Sequence, residues 1–314
     1  MHKVLVLKEL TNSQIEQILN IVIKASEIDG ARPFSEHVEL HLRSGGDRPV
    51  THLIAEDENS KILGYGHLDS TDLVSGPSGE IVVDPNSRKK GVATSILQVM
   101  KNEINNQPLR LWSHGDTEVG KEFAIKMGFK PVRNILQMRR SLFSQIENFS
   151  FNNKFSLRNF DFKKDAENFI SLNRKSFKDL PDQASWTTKS LELRIKENWF
   201  DQNGFVLLEE NEKLIGFCWT KIHGQDHKHE IYDGHTHHSH GHEPIGEIYV
   251  LGVDPEYQAQ GLGKQLTLWG LNYLRRSGLD SAMLYVDSNN KNAIELYVKL
   301  GFSSWGLDRL YKSN

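Results

Sequence analysis

The stretch GEIYVLGVDPEYQAQGLGKQL, residues 246–266, decides how this chain folds. It begins as an apolar strand, breaks at Asp-Pro, passes through a Gln-x-x-Gly-x-Gly turn and continues as an amphipathic helix that Gly278 ends. Glycines allow a ligand to approach the backbone closely, and a helix start offers unpaired N–H groups at the positive end of the helix dipole. The stretch therefore predicts a strand, a turn and a helix around an anion site that fits a pyrophosphate.

The glycine turn differs from the two common phosphate-binding motifs. Its spacing is not the Gly-x-Gly-x-x-Gly of dinucleotide sites, and no ribose-binding acid follows at the expected distance. The Lys-Ser/Thr pair of a P-loop is also missing. Taken alone, the motif is equally compatible with a plain tight turn, so its surroundings decide its meaning.

The same pattern occurs twice, which predicts a duplicated domain. Residues 84–93 read DPNSRKKGVA and residues 254–263 read DPEYQAQGLG. KILGYGHL (61–68) precedes the first copy, and KLIGFCWT (213–220) precedes the second. A Gly-Phe pair follows each copy, in KMGFKP and in KLGFSS. Three markers in the same order make chance an unsatisfactory explanation.

The chain of 314 residues is long enough for two domains of roughly 150 residues each. The polar, Asn/Ser-rich segment 141–160 separates two patterned regions, so we predict domains at 1–145 and 150–314. Within each, strands alternate with helices and indicate a mixed sheet. The predicted fold class is α/β.

Composition excludes several classes of protein. A formal net charge of -3 gives no overall field for nucleic acid or an anionic membrane. The N-terminal apolar run is too short for a signal peptide, and no run approaches the roughly 18 apolar residues of a membrane span. We therefore expect a cytoplasmic protein. Its single cysteine, Cys218, excludes an intramolecular disulfide and is expected to be a packed core thiol.

A second motif follows the glycine turn. Asn290, Ala293, Tyr297, Gly301 and Phe302 form the pattern N-x-x-A-x-x-x-Y-x-x-x-G-F. Together with V-D-P and Q-x-x-G-x-G, it resembles the GNAT superfamily of acetyl-CoA-dependent N-acetyltransferases. In that superfamily the turn holds the coenzyme pyrophosphate, and the asparagine and tyrosine lie beside the cofactor thiol. The resemblance implies two tandem GNAT domains, each a mixed, partly antiparallel sheet flanked by helices, with acetyl-CoA as co-substrate and no metal.

The resemblance assigns cofactor-binding residues in both halves. In the second half they are Leu251, Gly252, Val253, Gln258, Ala259, Gln260, Gly261, Leu262, Gly263, Lys264, Asn290, Lys291, Asn292, Ala293, Ile294 and Glu295. In the first half they are Ile81, Val82, Val83, Arg88, Gly91 and Ala93. A splayed or bulged strand at 251–253 is expected to supply backbone N–H groups to the thioester carbonyl and the pantetheine amides.

One family within the superfamily is similar over nearly the whole chain. The motifs WTKIH (219–223) and LYVDSNN (284–290), and QMRR (137–140) in the first half, resemble the mycothiol synthase family. That family transfers acetyl from acetyl-CoA to the cysteinyl amine of a cysteinyl-glucosaminyl-inositol, the last step in making mycothiol. The resemblance implies the same small-molecule acceptor here. We expect no nucleic-acid or membrane partner and a monomeric chain.

Acetyl transfer to an amine requires one group that takes the amine proton and another that protonates or stabilises the departing thiolate. We predict Glu247, at the start of the strand before the cofactor turn, as general base and Tyr297 as general acid. The alternatives are a solvated strand-edge acid and a tyrosine that only packs on the sheet. In the first half, Ala124 and Thr117 stand where the second half has Tyr297 and Asn290. That half is therefore predicted to keep a cofactor cradle but to be chemically silent.

By resemblance, the acceptor is bound by Glu36, Asp182, Lys221, Glu247 and Tyr285. A plain surface role is an equal alternative for Asp182. Two other functions stay open for the chain as a whole. It could be a GNAT enzyme that acetylates another small amine or a protein N-terminus, or a sensor that binds acetyl-CoA or metal without turnover.

The stretch HGQDHKHEIYDGHTHHSHGHE, residues 223–243, contains eight of the fourteen histidines. Their spacing is irregular, and the segment has neither a strand nor a helix period, whereas catalytic zinc ligands commonly stand on rigid elements. We predict a solvated loop with no catalytic metal. The alternatives are weak metal binding without a catalytic role, and a functional metal site or pH-responsive lid beside the acceptor pocket.

Overall fold

A computed structural model describes residues 2–72, 75–224 and 244–314. Contacts divide the chain into two compact units. The first comprises Met1–Leu136, Asp287–Asn289 and Gly306–Asn314, and the second comprises Gln137–Val286 and Asn290–Trp305. The predicted ranges 1–145 and 150–314 are consecutive segments, whereas these units are not, because the end of the chain belongs to the first unit.

The helices and strands alternate as the sequence predicts. Up to residue 141 they are β1 (His2–Leu7), α1 (Asn12–Asp29), α2 (Glu36–Ser44), β2 (Thr51–Asp57), β3 (Ile62–Asp69), β4 (Ser78–Val83), α3 (Val92–Glu103), β5 (Arg110–Ser113), α4 (Glu118–Lys126) and β6 (Lys130–Ser141). The remainder are β7 (Phe155–Asn159), α5 (Phe162–Ser176), α6 (Pro181–Ala184), α7 (Thr188–Ile195), β8 (Phe205–Glu210), β9 (Lys213–His223), β10 (Ile245–Val253), α8 (Leu262–Arg276), β11 (Ser281–Asp287), α9 (Lys291–Lys299) and β12 (Ser303–Lys312).

The sheet of the first unit has the strand order β1-β2-β3-β4-β5-β12. β1 to β4 are antiparallel, β4 and β5 are parallel, and β12 pairs antiparallel with β5 from Arg309↔Ser113 to Lys312↔Arg110. Residues packed with α3 form one core, and residues packed with α1 and α2 form another. The last strand of the chain thus completes this sheet.

The second unit repeats this design with strand order β7-β8-β9-β10-β11. β7 to β10 are antiparallel, and β10 and β11 are parallel. Because side chains alternate along β9, Phe217 and Trp219 pack in the aromatic core with Phe169 of α5, while Cys218 and Thr220 lie under α8. Each unit therefore has a mixed, partly antiparallel sheet flanked by helices, as predicted.

Helix α8 lies directly on the sheet. The predicted apolar positions Leu262, Leu266, Trp269, Leu271 and Leu274 are all buried. A Cβ at Gly270 would lie 2.5 Å from Ile248 Cδ1 and 3.1 Å from Cys218 Sγ, so only glycine permits this close approach. The prediction of a packed core thiol is confirmed, because Cys218 is fully buried and burial raises the pKa of its thiol. Among the described helices, none is long and apolar enough to cross a membrane.

Candidate active site

The sequence predicts a splayed or bulged strand at residues 251–253, and the pairing of β10 is interrupted in this region. Its pairing with β9 continues to Val253↔Gly216 but shifts register between Ile248 and Val250. On the other side, its parallel pairing with β11 extends only from Gly246↔Ala282 to Ile248↔Leu284, although both strands continue. Within the described residues, the edge of β10 that faces β11 is therefore unpaired from residue 249 to 253. Backbone groups on such an edge can bind an extended ligand.

Glu247 lies on β10 just before this opening. It is 6% exposed, and its Oε2 atom is 2.6 Å from Nε2 of His223. Lys221 is its pairing partner on β9. The Nζ atom of Lys221 is 4.3 Å from the centroid of the Trp199 ring and 5.4 Å from that of Tyr249. The site thus combines a buried carboxylate, an imidazole and an ammonium group that two aromatic rings hold.

The cofactor turn follows β10. Pro255–Tyr257 form one 3-10 turn, and Gly261 is the N-cap of α8 with a φ of 77° and no side-chain capping hydrogen bond. A Cβ at Gly261 would meet nothing within 4 Å, and at Gly263 the nearest atom is 3.9 Å away. Gln258 turns back to the strand, with Nε2 3.5 Å from the carbonyl oxygen of Val253. The open, uncapped start of a 15-residue helix has the geometry of an anion site.

The remaining predicted cofactor residues of this unit lie at the end of β10 and around the starts of α8 and α9. Ala259 has a left-handed φ of 62°, and Lys264 Nζ is 2.7 Å from Glu147 Oε2. Gly252 is constrained by packing, because a Cβ there would lie 2.5 Å from Phe217 Cζ. Gln260 and Leu262 flank the N-cap of α8, and residues 291–295 open α9.

Asn290 and Tyr297 belong to α9 and its cap. The side-chain oxygen of Asn290 accepts a hydrogen bond of 3.2 Å from the N–H of Ala293, so this residue caps the helix. Tyr297 is half-buried and its ring contacts Phe302 at a centroid distance of 5.8 Å. Burial, with a smaller effect from Cys218, raises the pKa of the Tyr297 phenol to about 12. The phenol therefore keeps its proton at neutral pH.

The residues predicted to bind the acceptor lie on several different elements. Tyr285 is 42% exposed on β11, and its hydroxyl lies 2.6 Å from Nε2 of Gln137. Asp182 belongs to α6, but its side chain lies outside the described part of the structure. Glu36 is the first residue of α2 and belongs to the first unit, whereas Glu247, Lys221 and Tyr285 belong to the second.

Comparison with known proteins identifies the family. A model of the Acetyltransferase (GNAT) family matches residues 167–302. The chain is 41% identical over 305 residues to a mycothiol acetyltransferase of Acidothermus cellulolyticus, covering 96% of this chain and 92% of the relative. A mycothiol acetyltransferase of Thermomonospora curvata is 39% identical, covering 97% of this chain and 95% of the relative. The chain belongs to the mycothiol acetyltransferase family. It is an acetyl-CoA-dependent N-acetyltransferase, as predicted.

Solved structures agree with this membership at the level of the fold. A tandem GNAT protein from the clavulanic acid biosynthesis pathway has a TM-score of 0.72 at 14% identity, covering 100% of this chain and 98% of that chain. A GCN5-related N-acetyltransferase from Sphaerobacter thermophilus has a TM-score of 0.67 at 17% identity, covering 99% and 95%. The predicted tandem GNAT fold is confirmed.

The first unit of this family member repeats the local geometry of the glycine turn. Gly91 is the N-cap of α3 with a φ of 83° and no side-chain cap. β4 pairs with β5 only at Ser78↔Arg110 and Gly79↔Leu111, so Ile81, Val82 and Val83 lie beyond the paired part. Ala93 lies in the first turn of α3. Arg88, in contrast, is engaged within its own unit, because its Nη1 and Nη2 atoms each donate a 2.7 Å hydrogen bond to Asp29.

The internal repeat extends to α4. Thr117 caps α4 by accepting a 3.2 Å hydrogen bond from the N–H of Gly120, the same role that Asn290 has for α9. Ala124, at the position of Tyr297, is buried and has no group able to donate a proton. Of the two units, only the second has a tyrosine at this position.

Sequence reasoning missed two features. The sequence pattern gives His223 no role apart from the His-rich stretch, yet His223 contacts Glu247, because residues two apart on β9 share a face and Lys221 pairs with Glu247. Glu80 is the counterpart of Glu247, since each follows a glycine on the strand before the cradle. The repeated Gly-Glu pair could have shown this. Residues 225–243 of the His-rich stretch lie outside the described residues.

The turn glycine offers a first test. Gly261→Ala is expected to raise the KM for acetyl-CoA about tenfold, with little change in kcat, because a methyl group would enter the cradle at a φ of 77°. Steady-state kinetics with varied acetyl-CoA measures this effect.

Gly278→Ala is the matched control. Gly278 lies beyond the other end of α8 with a φ of 82°, and a Cβ there also meets nothing within 4 Å. Both substitutions impose similar backbone strain, of about 1 kcal/mol. Equal KM values for the two variants would show that the turn does not bind the coenzyme.

Proposed function

We propose that the chain transfers the acetyl group of acetyl-CoA to the cysteinyl amine of cysteinyl-glucosaminyl-inositol and releases CoA and mycothiol. The relatives named mycothiol acetyltransferase support this acceptor, since they match over nearly their whole lengths. The observation that carries the proposal is the arrangement of β10. One strand has a buried carboxylate near its start, an unpaired edge after it, and an uncapped helix start beyond.

In the proposed reaction Glu247 is the general base. The acceptor is an α-amine, whose pKa of about 7.7–8.0 leaves most of it protonated at neutral pH. The nitrogen must therefore lose a proton before it attacks the thioester carbonyl. Glu247 takes that proton directly or through a water molecule, and His223, 2.6 Å from its Oε2, orients the carboxylate. Lys221, on the paired position of β9, contributes to acceptor binding.

The attacked carbonyl carbon becomes tetrahedral, and negative charge develops on its oxygen. We place this oxygen at the unpaired edge of β10, where those N–H groups of Leu251–Val253 that point away from β9 act as fixed donors. Losing one such donor typically costs about 100- to 1,000-fold in rate. The charge is thus stabilised by backbone groups that no side-chain substitution removes.

Collapse of the tetrahedral species breaks the C–S bond, and Tyr297 acts on the departing thiolate. Complete transfer of a proton from a phenol of pKa about 12 to the thiolate of a thiol of pKa about 8.5 is uphill by about 5 kcal/mol. A hydrogen bond from the phenol to the sulfur stabilises the thiolate without that cost. Tyr297 thus acts first as a hydrogen-bond donor to the sulfur. As CoA leaves, the thiolate takes the phenol proton while the phenol recovers the second proton that the attacking nitrogen loses on becoming an amide, so no free phenolate is left.

The remaining assignments belong to the same proposal. Tyr285 and Asp182 of the second unit bind the sugar and inositol groups of the acceptor, and Glu36 keeps the acceptor-binding role that the resemblance implies. The first unit is chemically silent because Ala124 replaces the phenol, and the chain acts as a monomer.

The acceptor is tested by following free CoA. The protein with acetyl-CoA and cysteinyl-glucosaminyl-inositol is expected to release one CoA for each amide formed. Glucosaminyl-inositol, which keeps the sugar amine but lacks the cysteine, is the matched control and should release none. Release with an aminoglycoside or a peptide, but not with the cysteinyl compound, would overturn the proposed acceptor.

A further inference from the structure

Four histidines of the first unit form a cluster that acetyl transfer does not use. His37 and His41 lie on α2, His52 on β2 and His67 on β3. The ring centroids of His37 and His41 are 4.3 Å apart, those of His41 and His67 are 5.1 Å apart, and those of His52 and His67 are 6.1 Å apart. Three different elements thus converge on one group of imidazoles.

The ring of His67 is buried without a complete set of partners. The residue is 2% exposed, and its Nε2 atom has no hydrogen-bond partner among the described residues. Buried polar atoms of native proteins are nearly always satisfied, so an exception beside other imidazoles points to a ligand that they share.

Three side chains at this cluster have the geometry of a metal site. His37, His41 and Asp47 each offer one ligand atom, and the three atoms lie within 4.8 Å of one another. His37 and His41 are four residues apart on α2 and therefore share one face of the helix. Two imidazoles and a carboxylate are a common zinc ligand set.

Neighbouring polar groups orient the imidazole rings of these ligands. Nδ1 of His41 lies 2.8 Å from the carbonyl oxygen of His37, and Nε2 lies 3.3 Å from the carbonyl oxygen of Arg48, a contact that a metal ion bound at Nε2 would replace. Asp69 Oδ2 lies 3.3 Å from His37 Nε2, the carboxylate–histidine contact that commonly orients metal-binding imidazoles.

Gly46 allows the loop with Asp47 to close over His41. A Cβ at Gly46 would lie 2.1 Å from Cδ2 of His41, and its φ of 69° is left-handed. A tetrahedral zinc ion, with bonds of about 2.0–2.2 Å, holds its ligand atoms about 3.4 Å apart. The three ligand atoms thus need to move together by about an ångström, and the ion would compete with Arg48, whose Nε atom is 3.4 Å from Oδ1 of Asp47.

We propose that His37, His41 and Asp47 bind one divalent transition-metal ion, preferentially Zn²⁺, with His67 as the nearest additional imidazole. This site belongs to the first unit, and it stabilises that unit without taking part in acetyl transfer. It is distinct from the His-rich stretch, whose seven histidines between 227 and 242 lie outside the described residues.

The experiment separates the two groups of histidines. The full chain is compared with a variant in which those seven histidines of the stretch are replaced by asparagine. After chelator treatment, Zn²⁺ is titrated in competition with a chromophoric chelator. The asparagine variant is still expected to bind one equivalent of Zn²⁺ tightly. With Co²⁺ in place of Zn²⁺, it should show the visible absorption of a tetrahedral site. At Zn²⁺ about 100-fold above Kd, its Tm should rise by about 5 °C.

In that background, His37→Gln and Asp47→Asn should each weaken zinc binding at least 100-fold and abolish the rise in Tm. Both keep the approximate shape of the side chain, and circular dichroism without metal checks the fold. His2→Gln is the control, since His2 is a histidine of the same unit bonded to Ser95 and outside the cluster. Absence of a zinc equivalent in the asparagine variant, or unchanged binding in both ligand variants, would overturn the proposal.

Discussion

Replacing Glu247 by glutamine is expected to lower kcat/KM for the acceptor about 100- to 1,000-fold, the usual contribution of a general base. The side-chain oxygen of glutamine can still accept the 2.6 Å hydrogen bond from His223. The local structure should therefore persist while the proton acceptor is lost. The measurement is the initial rate of CoA release at saturating acetyl-CoA. The KM for acetyl-CoA should change less than about threefold, because Glu247 precedes the unpaired edge of β10.

The pH dependence distinguishes a base from a residue that only binds the acceptor. Wild-type enzyme can deprotonate the bound ammonium, whereas Glu247→Gln can use only acceptor that is already neutral. Its rate should therefore rise about tenfold for each pH unit until the amine pKa of about 7.7–8.0, and then level off. A variant whose rate is lower by a constant factor at every pH would argue against the base and favour a binding role.

Glu80→Gln is the matched control because Glu80 has the same place on β4. It is buried, it accepts 2.8 Å and 2.7 Å hydrogen bonds from the backbone N–H and Oγ of Ser35, and it lies 3.4 Å from His114. These contacts make it a stabilising residue of the first unit. Its substitution should lower Tm but leave kcat nearly unchanged. A loss of kcat as large as that of Glu247→Gln would show that the first unit is not silent.

The fold could be predicted from the sequence because its informative contacts are local. The strand, the turn and the helix at 246–266 are adjacent in the chain, and the repeat supplied a second copy. The apolar spacing of α8 and the burial of Cys218 follow from the same local patterns. The sequence does not predict that the last strand belongs to the first unit. β12 pairs with β5, almost 200 residues earlier in the chain, and it does so through backbone hydrogen bonds that any sequence can make.

The candidate site was predicted less completely for a related reason. The position of Glu247 follows from the motif, but its contact with His223 depends on which residues of β9 and β10 pair, and the sequence does not specify that register. The eight histidines within residues 223–243 are close together in the sequence and are therefore evident from it. His37, His41, His52 and His67, in contrast, are separated in the sequence. They come together only because α2 packs on β2 and β3.

Replacing Tyr297 by phenylalanine is expected to lower kcat about 100-fold, at the lower end of the range for a proton donor, because an alkyl thiolate is already a moderate leaving group. This corresponds to about 2.7 kcal/mol of transition-state stabilisation. The phenyl ring keeps its contact with Phe302, 5.8 Å between centroids, so the fold and the KM for acetyl-CoA should hardly change. Single-turnover CoA release measures the chemical step apart from product release.

Two comparisons separate this role from packing. Ala124→Ser changes the equivalent buried position of the first unit and should leave kcat unchanged, since that unit is predicted to be silent. Tyr273→Phe removes another phenolic hydroxyl of the second unit, one that is bonded to Asp201 near the end of α8, and should also leave kcat unchanged. If Tyr297→Phe were as active as Tyr273→Phe, the phenol would only pack on the sheet. The thiolate would then leave without a hydrogen bond from Tyr297, and Ala124 in the first unit would no longer explain why that unit is silent.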